Sequence, residues 1–142
     1  MRYHELVEMV QDEGALDTQA EAEEALRATL SSLGECLYRT ERRHLASQLP
    51  KEAKDFLTEF VVDSEVTRQG AACLTIQEFY DNVGARADVT RSRAMERAKA
   101  VATVLRRALP EGEWRHIILE MPKAYRELLA EGDTEMTPPG EV

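Results

Sequence analysis

Apolar residues recur along this chain at helical spacing, in segments separated by glycine, proline or capping residues. Tyr3, Leu6, Val7 and Val10 mark a first helix from about Arg2 to Asp12, which Gly14 is expected to break. Thr18 with Glu21 three residues on reads as a capping box. Behind it the stripe Ala22, Ala25, Leu26, Leu30, Leu33 and Leu37 predicts a long second helix. A short third helix follows Thr40 and carries Leu45 and Leu49. Pro50 opens a fourth, a position where its missing N–H costs nothing, and Ala53, Phe56, Leu57, Phe60 and Val61 supply its stripe.

After a stretch without sustained period the order returns. Thr75 and Glu78 cap a fifth helix with Ile76, Phe79, Tyr80 and Val83. Thr90 opens a sixth, with Ala94, Ala98, Val101, Ala102, Leu105 and Leu109. Trp114, Ile117, Ile118 and Met121 form a seventh, and Pro122 starts an eighth with Tyr125, Leu128 and Leu129. Val61-Val62 and Ile117 to Leu119 are short apolar runs that helical spacing explains, so almost no sheet is expected.

The second half repeats the first residue by residue. Glu41-Arg42-Arg43-His44, running on to Pro50, aligns 72 positions later with Glu113-Trp114-Arg115-His116, running on to Pro122. At that offset Thr18 meets Thr90, Ala22 meets Ala94, Leu33 meets Leu105 and Leu57 meets Leu129; the first helix needs one residue more. Matches at one offset, with helix breaks in step, mark a repeated supersecondary unit. The expected fold is all-α, about eight helices as two tandem four-helix repeats on a shared core. Repeat 1 spans 1–62, a linker 63–74, repeat 2 75–132, and a disordered acidic tail 133–142.

A long alanine-rich helix, a short helix ending in Leu-Pro or Met-Pro, and a further helix, given twice, resembles the bacterial domain-of-unknown-function family 2267. Leu33, Leu37 and Leu49-Pro50, then Leu105, Leu109 and Met121-Pro122, carry the likeness, which covers about Tyr3 to Glu131. The resemblance implies an all-helical fold and brings no catalytic residues with it.

Composition agrees. Hydrophobic residues make up 43% and charged ones 32%, a balance that folds rather than staying disordered. The net charge of -9 opposes binding to phosphate backbones unless positive charge gathers on one face. No apolar run approaches membrane-spanning length, and Met1 to Val10 lacks a signal peptide's apolar core, so cytoplasm is expected. The two cysteines, Cys36 and Cys73, show no metal or redox spacing, and Cys36 is expected as a buried, inert thiol.

The sharpest chemical lead is Glu-x-x-His, present twice: Glu41 with His44, and Glu113 with His116. Residues three apart share a helix face, and helical di-iron proteins use this spacing. Glu120 extends the second cluster by one turn, where the first half has Gln48. Against a metal stand the shortness of the helices and a direction away from the apolar stripes.

The second lead is charge. Residues 1–75 hold 8 Lys and Arg against 15 Asp and Glu, whereas residues 76–132 hold 10 against 9. Arg91, Arg93, Arg97, Lys99, Arg106 and Arg107 crowd the sixth helix. They spread round it instead of forming a stripe, with no aromatic stacking platform among them. Arg91, Arg93 and Arg97 are therefore candidates for contact with a protein partner or a second copy. The lone tryptophan, Trp114, is expected in the core by its spacing to Ile117, Ile118 and Met121, with an interface anchor as the alternative.

Phosphate-cradling glycine loops and nucleophile elbows are missing, so no catalytic residue and no cofactor is assigned. The reading is a non-enzymatic helical protein-interaction module. A metal-binding protein using the paired Glu-x-x-His, and nucleic-acid binding through the basic helix 91–107, are the alternatives.

Overall fold

The computed structural model describes residues 1–37, 39–61, 75–119 and 125–126. Among these it is all-helical, with seven helices and no strand. They are α1 (Tyr3–Gly14), α2 (Gln19–Cys36), α3 (Arg39–Ala46), α4 (Lys51–Thr58), α5 (Ile76–Ala87), α6 (Arg91–Ala108) and α7 (Glu111–Leu119). Tyr125 and Arg126 are helical, while the rest of the expected eighth helix, the linker 63–74 and the tail 133–142 lie outside the described residues. No helix among the described residues is long and apolar enough to cross a membrane.

Local chemistry sets the helix starts. Thr18 Oγ1 accepts from the Glu21 N–H at 3.1 Å, Thr75 Oγ1 from Glu78 N–H at 3.0 Å, and Thr90 Oγ1 from Arg93 N–H at 3.3 Å. Each bond satisfies one of the orphan donors of a first turn. The Glu21 carboxylate reaches back one residue past the cap, to the Asp17 N–H. Gly14 does not break α1. It is the last helical residue, and Ala15 turns the chain with φ of 51°, its N–H bonded to Asp12 O.

The two eighteen-residue helices α2 and α6 form the centre. Leu26, Leu30 and Leu33 on α2, and Ala98, Val101 and Leu105 on α6, are fully or almost fully buried. α1 packs on both α2 and α6, and so does α5, which joins the halves in one hydrophobic cluster. Alanine faces such as Ala22, Ala25, Ala94 and Ala98 let the helices approach closely. One close approach is at Gly34, where any side chain would overlap the Leu57 carbonyl of α4.

Complementary charge links the halves. Arg86 on α5 pairs with Glu35 at 2.8 Å, donates to Ser32 Oγ at 3.2 Å, and sits 4.0 Å over the Phe60 ring. Arg107 on α6 reaches Glu13 on α1 at 2.9 Å. The acidic first half and basic second half thus meet within one chain.

Cys36 is buried, as expected, but it is disulfide-bonded and not a thiol. Disulfide partners are chosen by proximity in the fold, which leaves no local spacing to read. The other cysteine, Cys73, lies outside the described residues. The Tyr125 hydroxyl stands 3.8 Å from Cys36 Sγ and donates to Thr75 O at 3.0 Å. Burial, then the nearby Glu78 and Tyr80, pushes the Tyr125 phenol well above its ordinary range.

Candidate functional site: the seam between α3 and α7

α3 sets Leu45 into the core and α7 sets Trp114 and Ile117 there. That anchoring aims the remaining face of each short helix at the other. Glu41 and His44 lie three apart on α3, and Glu113 and His116 three apart on α7, so each pair shares a face.

The pairs meet crosswise. His44 Nε2 contacts Glu113 Oε1, and His116 Nε2 contacts Glu41 Oε2 at 3.1 Å. Position 41 faces 116 and position 44 faces 113, which is the register of two segments running in opposite directions. The two imidazole rings lie 5.6 Å apart, centre to centre, tilted by 52°.

Exposure is uneven. The His44 and His116 side chains are 42% and 56% exposed, whereas Glu41 keeps only 9%. Glu41 is thus the anchored member, and the histidine rings face solvent on one side. Imidazole nitrogen beside carboxylate can act as a charge-assisted hydrogen bond or, once deprotonated, as two ligands for one cation. Among the described residues no three His, Cys, Asp or Glu side chains form a ready-made metal cage; the four stand as two pairs. Glu120, the fifth expected ligand, lies outside the described residues.

The expected interaction residues fare differently. Trp114 is 3% exposed and Arg97 is also buried, so both belong to the interior. Trp114 shares the apolar face with Ile117 and packs in the core, as its spacing predicts, and not at the surface as an anchor. Arg91 forks onto Asp81 through Nε at 2.7 Å and Nη2 at 2.8 Å, holding that carboxyl below the usual carboxylate range. Arg93 is exposed. Arg107 is held by Glu13, so two of the six cations of the expected basic helix stand in surface ion pairs and a third, Arg97, is buried.

Sequence reasoning passed over a second feature. A cavity of about 720 Å³ opens between α3 and α4. Arg39, Arg42 and Arg43 from α3 and Lys54 from α4 line it, with one carboxylate, Asp55. The signal lay in the 39, 42, 43 spacing on one face, hidden by the acidic total of the first half.

These features define an all-helical protein whose third and seventh helices are joined by crossed histidine–glutamate pairs. Over residues 3–128 the chain matches the family described as Uncharacterized conserved protein (DUF2267), and it belongs to that family. No curated protein matches it.

Proposed function

We propose that the chain is a duplicated helical unit that holds one divalent transition-metal ion at the seam between α3 and α7. Support for the duplication is metrical as well as textual. α2 and α6 begin and end 72 residues apart, and α1 and α5 begin and end 73 apart, the offsets at which the residues match.

The single observation that carries the metal reading is the crossing of both Glu-x-x-His pairs with their rings 5.6 Å apart. Two imidazoles bound to one ion, with metal–nitrogen bonds of about 2.0–2.1 Å, put their ring centres roughly 5–6 Å apart. The ring spacing therefore already suits a shared ion. Only the exposed side chains have to turn, from their paired carboxylates toward a common point, while Glu41 stays fixed. A donor set of two imidazoles and two carboxylates favours zinc, iron(II) or manganese(II) over magnesium or calcium.

Dialysis against zinc, iron(II) and manganese(II), followed by elemental analysis, tests this. One ion per chain is expected, lost in the double variant His44→Ala, His116→Ala. No stoichiometric uptake, or uptake that the double variant retains, sinks the reading.

A protein-interaction role has one observation of its own. Leu119, at the end of α7 beside the seam, is 60% exposed. On that reading the protein self-associates or captures a partner through this end, and Leu119→Ser abolishes the complex seen by light scattering. A monomeric protein whose behaviour Leu119→Ser leaves unchanged contradicts it.

A further inference from the structure

The second face of α3 carries an independent site. We propose that the cleft between α3 and α4 binds a small ligand through a phosphate group.

Four cationic side chains line one cavity of about 720 Å³, a volume in the range of small-molecule sites. They do so in a chain whose net charge is -9. Positive charge gathered inside a concave surface focuses the field and raises the local concentration of anions. Arginine forks match phosphate oxygens in pairs, and lysine adds a point charge beside them. Arg42 is positioned for this: its Nη1 donates to Gly34 O at 3.1 Å and Leu37 O at 3.0 Å. The carbonyls at the end of α2, which lack an intrahelical partner, thus fix the guanidinium before any ligand arrives. The Thr58 hydroxyl and the small apolar side chains Ala46 and Val61 complete the wall.

The comparison between halves carries the inference further. At the 72-residue offset Arg39 becomes Glu111, Arg42 becomes Trp114, Ala46 becomes Ile118 and Thr58 becomes Ala130. The second half thus exchanges two of the four cations for an acid and a buried indole and a small residue for a larger one, while Arg115 and Arg126 keep a cation at the positions of Arg43 and Lys54. Two of the four cations that line the cleft are therefore particular to the first half.

Isothermal titration calorimetry in metal-free buffer tests the site, so that its outcome is separate from the seam. Inorganic pyrophosphate and phenyl phosphate are the probes, with a mixed-sequence oligonucleotide alongside. Arg43→Glu and Lys54→Glu change exposed residues and keep the fold; Arg93→Glu on α6 controls for bulk charge. Saturable binding of either phosphate is expected, weakened about ten-fold or more by Arg43→Glu and by Lys54→Glu, as loss of a charge-assisted contact implies, and unchanged by Arg93→Glu. No heat from either probe at millimolar concentration overturns the proposal. So does an equal loss in Arg93→Glu, or binding confined to the oligonucleotide.

Discussion

At the scale of single residues, the environment of a side chain decides more than its type. Tyr3 on α1 is half-buried, its ring edge-on to Phe56 at 6.1 Å. Burial, then the charge of Glu23 and a hydrogen bond to it, pushes its phenol up to about 12. The folded state therefore holds this proton more tightly than the unfolded chain does. The stability it contributes is complete below the ordinary phenol range near 10 and is lost as pH rises from there toward 12. An alkaline absorbance titration is expected to show Tyr3 ionising later in the native protein than in a denatured sample, with Tyr3→Phe reducing the late amplitude and Tyr125 supplying what remains. Coincident titration of the two samples would contradict the assignment. Helix starts were legible at this scale, because Thr18, Thr75 and Thr90 act on donors three residues away. Gly14 was misread for a related reason. A glycine near a helix end suggests the left-handed turn, but the turn falls one residue later, on Ala15.

At the scale of elements, helix contacts are set by a few small residues that periodicity does not single out. Gly34 sits inside α2 where a strict pattern would accept alanine. Yet its backbone lies against the Leu57 carbonyl of α4, and the second half has Arg106 at the matching position. Gly34→Ala is expected to force α2 and α4 apart and cost about 3 kcal/mol or more, as overpacking of a dense interface does. Urea denaturation measures this, and a variant as stable as the parent would contradict so close an approach. The seam could not be read at this level. The sequence shows that Glu41 and His44 share a face, and Glu113 and His116 likewise. That position 44 faces 113 and 41 faces 116 depends on how α3 and α7 are carried by Leu45, Trp114 and Ile117, across separations of about seventy residues. The disulfide at Cys36 escaped for the same reason.

At the scale of the whole molecule, the halves do not stand apart. α1 packs on α6 and α5 on α2, and Arg86 and Arg107 bridge to Glu35 and Glu13. Neither half keeps a closed core without the other, so the chain is expected to unfold in one transition, with calorimetric and van't Hoff enthalpies in agreement. Two resolved transitions would instead mean two independent units. The all-helical class was open to sequence reading because alanine, leucine and matched breaks leave no competing period. The two halves agree at the seam, where each supplies a Glu-x-x-His pair, and diverge at the basic cleft on the other side of α3.

The most direct measurement is X-ray absorption at the zinc edge of the zinc-loaded protein. Two imidazole ligands, with the remaining positions filled by oxygen, are predicted, falling to one in either His44→Ala or His116→Ala. Zinc that binds without two imidazoles, or that keeps its spectrum in both variants, would contradict a shared ion at the seam.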